Sequence, residues 1–354
     1  MENVKVALWG FGAMGSGIGR ALLAKSGVEI VGVCDKHPDR VGKNMYDVLG
    51  VDPAGRPPVV VSGEIENVVQ KGKCDICILA TDSFVKAAFD KILFVVNQGV
   101  NVITSAEEMA YPMANHPDLS KKIDEAAKAN GVSVLGTGIN PGLVMDLLAI
   151  CLSGSMTDVE SVMCRRVNSL SPFGEAVMEE QGVGITVDAF NKGVAEGTLA
   201  GHVGFAESIG MISDALGLGV NEFSQSMSPI VTSVDRKSPY GFAAAGNVAG
   251  VDMKGDGKKD GKLLIHMEHP QQIEPELEDV FTGDYIVLKG SPEVSMEIKP
   301  EISGGIGTIA MCINCIPQVI NAKAGLITMI DIPVPHAIMG DYRDYIDPER
   351  KLVK

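Results

Sequence analysis

Apolar and polar positions follow two rhythms along the chain, and the change falls close to residue 138. Before it, short runs rich in β-branched residues occupy residues 4–9, 29–34, 74–80, 100–104 and 132–135. Between them lie stretches of helical spacing, one from Met14 and others over residues 85–98 and 119–130. Strands alternating with helices predict a parallel sheet covered on both faces, because each crossover between parallel strands runs through a helix.

After Gly138 the apolar runs lengthen and their connections shorten. Residues 157–167, 262–268, 285–289 and 293–298 read as strands joined by hairpin-like turns, with helices over 187–199 and 203–216. Residues 254–261 read as a turn-rich tip between strands. Residues 304–324 read as one long apolar helix, followed by a tail through Pro333 and Pro335 expected to brace the first domain. The expected fold class is α/β. A Rossmann doubly wound parallel sheet spans residues 1–140, a second α+β domain on a mostly antiparallel sheet spans 141–303, and a C-terminal helix and tail span 304–354.

Composition narrows the function. With 354 residues, 45% of them hydrophobic and 21% charged, the chain has the material for two folded domains. A net charge of -15 opposes a nucleic-acid partner, whose affinity comes from phosphates neutralised by Lys and Arg. No segment approaches the roughly 20 apolar residues of a membrane span, so no membrane partner is expected. Seven scattered cysteines fit reduced thiols and a cytoplasmic location. Cys74-x-x-Cys77 and Cys312-x-x-Cys315 carry no metal expectation, because the first pair is read as pointing to opposite faces of a strand and the second lies within an apolar helix.

Gly10-Phe11-Gly12-Ala13-Met14-Gly15 fits G-x-G-x-x-G, and it stands directly after the first strand and before the first helix. There Gly10 permits the turn, Gly12 admits a pyrophosphate to the backbone and Gly15 lets helix and strand pack closely. Asp35, about 20 residues beyond the last motif glycine, ends the second strand, where an acidic residue receives the adenosine ribose hydroxyls. That favours NAD, while Lys36 and Arg40 offer a place for the 2′-phosphate of NADP. Ala80, Thr81 and Ser83 after the 74–80 strand, and Ser105 after the next, are candidates for the nicotinamide half. Helix capping by Asp82 or Ser83 explains that first loop equally well.

Three segments together, Ala7 to Gly15, Val102 to Pro112 and Gly136-Thr137-Gly138-Ile139-Asn140-Pro141-Gly142, resemble the 2,4-diaminopentanoate dehydrogenase family, and the likeness runs along most of the chain. The resemblance implies a dihydrodipicolinate-reductase-like first domain, related amine dehydrogenases, and oxidative deamination of a small diamine or amino acid. Such chemistry needs a neutral amine and then a water delivered to the imine, and one carboxylate can serve both. Glu107 and Glu108 follow the 100–104 strand, and the likeness to the related amine dehydrogenases implies a glutamate of this motif in that role. Adjacent residues usually point apart, so one of the two is expected to act; read alone, the pair is what a helix start selects. A homodimer is expected by the same analogy.

For the substrate, the segment through Thr137, Gly138, Asn140 and Pro141 marks the crossing into the second domain, although a hinge turn uses the same residues. Arg165, Arg166 and His202 are candidates for the substrate carboxylate. The two arginines, adjacent on a strand, face opposite sides. Two other readings share the first domain: a reductase of a cyclic imine, whose His-rich motif has no counterpart here, and a nucleotide-binding sensor without turnover.

Overall fold

Five of the six residues of β1 (Val4–Trp9) are apolar, and such a run needs both faces covered. It is the inner strand about which the first unit is built. Described here by a computed structural model over residues 2–350 and 352–353, the chain divides into two compact units, Met1–Leu143 with Ser303–Lys354, and Val144–Ile302. After β1 come α1 (Ala13–Leu23), β2 (Val28–Cys34), α2 (Met45–Leu49), β3 (Val61–Ser62), β4 (Ile76–Leu79), α3 (Val85–Asn97), β5 (Asn101–Thr104), α4 (Pro117–Asn130) and β6 (Ser133–Gly136). Every pairing among these strands is parallel. Cys74 lies ahead of β4, so the alternation argument does not apply to it, and it shares one buried cluster with Cys77 and Cys34.

The second unit contains α5 (Leu147–Ser153), β7 (Asp158–Ser169), α6 (Glu175–Glu180), α7 (Val187–Glu196), α8 (Phe205–Leu216), β8 (Glu222–Val231), β9 (Arg236–Lys237), β10 (Phe242–Ala243), β11 (Val248–Lys259), β12 (Lys262–Gln272), β13 (Gly283–Ser291) and β14 (Val294–Ile298). Its main sheet has the order β14-β13-β7-β12-β11-β8. β7 and β12 run parallel and the other neighbours antiparallel. Strand alternation divides the sheet into two faces. Met253, Ile265, Met267, Val162, Cys164, Ile286 and Leu288 are buried on one face, where α8 packs on β11 and α5 on β7 and β13. The other face is polar: Arg165 pairs with Glu268 at 3.1 Å, and His266 bridges Asp256 at 2.7 Å and Glu268 at 3.2 Å.

The turn-rich tip expected over residues 254–261 is a correction. Residues 254–259 belong to β11, and the reversal is confined to Asp260 and Gly261, both with positive φ. The glycines that suggested a turn are packing positions. A Cβ on Gly255 would lie 2.8 Å from the Phe205 ring, and one on Gly257 would lie 2.7 Å from Ile209. α8 approaches β11 closely because these positions carry no side chain.

The chain then returns to the first unit as α9 (Gly304–Asn314), α10 (Ile316–Asn321) and β15 (Gly325–Ile327), and β15 joins β6 at the sheet edge to give the order β15-β6-β5-β4-β1-β2-β3. The single helix expected over 304–324 is broken. Pro317 stands in the first turn of α10, since its ring has no N–H to give and cannot continue α9. α9 packs along α1, with Ile309 against Gly17 and Met14 beside Gly305. Among the described residues, no helix is long and apolar enough to cross a membrane.

Gly255→Ala places a methyl group against the Phe205 ring and is expected to destabilise the fold by roughly 1–3 kcal/mol, the usual cost of overpacking. The same change with Phe205→Leu should recover part of that loss. Thermal unfolding of the two variants checks this, and equal melting temperatures for Gly255→Ala and wild type would refute the packing role.

Candidate active site

The glycine loop between β1 and α1 divides its three glycines by function. Gly10 has φ +92°, and a Cβ there would lie 2.5 Å from the Ala80 carbonyl oxygen. Gly15 closes on the Gly10 carbonyl in the same way. Both are required by the fold. Gly12 is different, because a Cβ on it would meet nothing nearer than the Arg40 guanidinium at 4.0 Å. Its side is open, at the start of a helix with no side-chain cap, which is where an approaching phosphate meets N–H donors and a positive dipole end. The Phe11 side chain is fully buried, so only its main chain faces the loop's surroundings; Ala13 is exposed and Met14 half-buried.

Asp35 directly follows β2, beneath this loop. Its carboxylate accepts the Phe11 N–H at 2.5 Å and the His37 N–H at 2.7 Å, and Arg40 Nη1 lies 3.2–3.3 Å from both oxygens. Burial works against its ionisation, but the His37 and Phe11 amides and the Arg40 guanidinium prevail and hold the carboxyl below its ordinary value. Lys36 is exposed. The donor set fits the adenosine half of a nicotinamide dinucleotide, with an anionic acceptor for ribose hydroxyls and a guanidinium beside it for a phosphate.

The loops after β4 and β5 are tied to each other. The Ala80 N–H reaches the Trp9 carbonyl, and the Ser105 N–H the Leu79 carbonyl. Thr81 Oγ1 donates to Asp82 at 2.5 Å and accepts from Lys91 at 3.0 Å, and Lys91 also pairs with Asp82 at 2.6 Å. The Ser83 carbonyl accepts the Glu108 N–H at 3.1 Å. Neither Asp82 nor Ser83 caps α3. That task falls to Glu108, whose carboxylate accepts the Val85 N–H at 2.7 Å and pairs with His116 at 3.3 Å. Glu107 and Glu108 open a 3-10 turn over Glu107–Ala110, both half-buried.

The segment after β6 is packed chain on chain. Gly136 abuts the main chain of Met109 and Ala110, so the 3-10 turn rests directly on β6. Gly142, at φ +128°, sits on Gly138, and the Ile139 N–H donates to Thr308 at 3.2 Å. The room these glycines provide is taken by the chain itself. Thr137 is buried against Met329, and Asn140 is half-buried ahead of buried Pro141.

In the second unit, Arg165 and Arg166 do face opposite ways. Arg165 lies with Glu268 on the polar face, over the Tyr285 ring at 5.6 Å. Arg166, 2% exposed, is on the helix-covered face, where it donates to Asp284 and, at 2.6 Å, to the Ile302 carbonyl. His202 stands near the same cluster, its ring 4.5 Å edge-on from that of His269, which bonds Asn168 at 2.8 Å. Desolvation, with the Arg166 charge, pushes His202 down to about 3. Desolvation, His202 and Arg166 take His269 well below its ordinary value. Gln271, two residues along β12, is 5% exposed and its Nε2 has no hydrogen-bond partner. The sequence reading missed His269, Asn168 and Gln271, although His269 continues the period-two series Ile265, Met267 as a polar residue in a core position.

A family model described as the 2,4-diaminopentanoate dehydrogenase C-terminal domain matches residues 143–348. A 2,4-diaminopentanoate dehydrogenase of Acetoanaerobium sticklandii is 61% identical over 100% of both chains. An amine dehydrogenase of Streptomyces virginiae is 24% identical over 95% of this chain and 98% of that one. The solved amine dehydrogenase of Mycobacterium smegmatis shares 25% identity and a TM-score of 0.83, covering 96% of this chain and 98% of that one. With its Rossmann unit and glycine loop, the chain is an NAD(P)-dependent oxidoreductase. It belongs to the 2,4-diaminopentanoate dehydrogenase family.

The two depressed histidines make stability depend on pH. A histidine whose folded pKa lies below its unfolded value binds fewer protons folded than unfolded, so stability falls as pH drops below about 6.5. His266 works in the opposite sense, because its carboxylate partners outweigh burial and raise its pKa. Between pH 6.5 and 5, the melting temperature of wild type is expected to fall more steeply than that of a His202→Asn, His269→Asn double variant, which keeps His266. Parallel melting curves would contradict the buried neutral pair.

Proposed function

We propose that the chain catalyses NAD(P)-dependent oxidative deamination of 2,4-diaminopentanoate at C4, giving 2-amino-4-oxopentanoate and ammonia, with Glu107 as the base. The full-length 61% identity carries the substrate. The choice of base is carried by Glu108, whose carboxylate is committed to the start of α3.

Gly10 to Gly15 hold the pyrophosphate, with Asp35 and Arg40 at the adenosine ribose and Lys36 beside them. Ala80, Thr81, Ser83 and Ser105 line the nicotinamide half. A nicotinamide held there would supply the two-electron oxidant for the hydride released from C4. Glu107 takes a proton from the C4 ammonium, because only the neutral amine has a lone pair to drive that release. Once that proton has passed to solvent, the carboxylate accepts another from the water attacking the iminium carbon and delivers it to the nitrogen of the carbinolamine, whose hydroxyl gives up its proton as the C–N bond breaks and ammonia leaves. Asn140, with the Thr137–Pro141 segment around it, orients the amine. Arg166 and His202 are the proposed carboxylate-binding residues of the second unit.

The polar sheet face is assigned to a homodimer contact. Arg165, Lys254 and His266 alternate there with Asp252, Asp256 and Glu268, a balanced patch on a chain of net charge -15, so a second copy meets less repulsion there. A cytoplasmic location accords with seven cysteines present as free thiols.

The test is absorbance growth from NADH or NADPH with 2,4-diaminopentanoate. Glu107→Gln should lose on the order of 100-fold or more in kcat while keeping cofactor affinity. Arg40→Gln should raise KM for NADP and leave that for NAD nearly unchanged. A wild-type protein that binds cofactor but turns over no amine would overturn the assignment.

A further inference from the structure

The start of α3 is held from outside its own loop. Its N-cap position, Phe84, has no side-chain oxygen to offer, which leaves the first N–H groups of the helix to be satisfied by other means. Glu108 supplies the acceptor from the following loop, receiving the Val85 N–H at 2.7 Å on its side chain while its own N–H donates to the Ser83 carbonyl at 3.1 Å. The two bonds form a reciprocal pair between loops more than twenty residues apart, with the logic of a capping box. His116, at the start of α4, fixes the same carboxylate oxygen from a third element at 3.3 Å. The group is well covered, since the side chain of Glu108 is 13% exposed and that of His116 is 19% exposed.

Two things are fixed by this clamp. Residues 80–83 are held between Gly10, which abuts the Ala80 carbonyl, and Glu108, which bonds Ser83 and Val85. Glu107 is held because its successor is anchored through both main chain and side chain, and because Met109 and Ala110 rest on Gly136.

We infer that Glu108 is a positioning residue, which with His116 locks the loop after β4 to the turn carrying Glu107 and thereby sets the nicotinamide half of the cofactor site and the base together. The inference rests on the reading of those two elements given above. Glu108 itself transfers no proton. What it contributes is an acceptor oxygen at a fixed place.

The experiment compares wild type with Glu108→Gln, Glu108→Ala and Glu108→Asp. Gln keeps an acceptor oxygen at the same reach. Ala removes it, and Asp keeps the charge but is one methylene short of Val85. Binding of NAD and of ADP-ribose is titrated calorimetrically, and kcat and KM are measured with 2,4-diaminopentanoate. Ala and Asp are expected to weaken NAD about tenfold, the loss of a cap of ordinary strength, with ADP-ribose affinity unchanged and kcat reduced. Gln is expected to stay close to wild type throughout.

A stability role alone would lower the melting temperature of Ala and Asp without changing the ratio of NAD to ADP-ribose affinity, and that result overturns the inference. A Gln variant as inactive as Ala also overturns it, since it would make Glu108 a proton carrier. Should Ala fail to fold, Asp and Gln decide the matter. If wild type proves inert toward the amine, the functional reading fails separately, and the two binding titrations still test the clamp.

Discussion

Backbone lying directly on backbone at the carboxyl edge of the parallel sheet is the constraint from which the rest of the site follows. Gly10 against Ala80, Gly15 against Gly10, Gly136 against the 107–110 turn and Gly142 against Gly138 are all contacts that a Cβ would forbid. The first and third bring a loop from one strand end against its neighbour, and the other two fold a segment onto itself. The glycine loop is set by the loop after β4, that loop by the turn after β5, and that turn by β6. Function is therefore spread over segments far apart in sequence, while the mechanical demand on each falls on one residue with no side chain.

This explains why some features were legible in the sequence and others not. β1 was readable to its ends, because an apolar run with one lysine, ending at a glycine turn, has few other uses. The G-x-G-x-x-G motif was readable because the reasons for Gly10 and Gly15 are local. Gly255 and Gly257 misled for a physical reason: a glycine admitting a helix onto a strand looks, without the helix, the same as a glycine that makes a turn. The apolar pattern of residues 304–324 continued across Pro317 because both helices pack inward, and the proline, not the pattern, carried the information that the backbone stops.

The second unit shows how far alternation reaches. That Arg165 and Arg166 face opposite sides followed from period two alone, and their surroundings bear no resemblance to each other. Arg165 exchanges hydrogen bonds in a screened, half-exposed lattice of charges, where a single pair contributes little to stability. Arg166 is buried beside a carboxylate, a backbone carbonyl and histidines kept neutral by desolvation. A core assembled for stability alone would have no use for such a cluster, since apolar residues of similar volume often serve as well or better. The covering helices supply the low dielectric that strengthens its hydrogen bonds. Strand pairing of β7 with β12 sets Asn168 beside His269, and His202 joins them only through the approach of the 202 segment to β12.

Glu107 and Glu108 carry the same point to its limit. Chemically they are identical, and neither composition nor motif separates them. What distinguishes them is where the nearest unsatisfied donors lie. α3 begins with amides that its own sequence leaves uncapped, and those amides claim the carboxylate of Glu108. A carboxylate committed to helix amides gives up freedom of movement. The missing cap on one helix is thus what commits one of two adjacent glutamates to holding that helix in place.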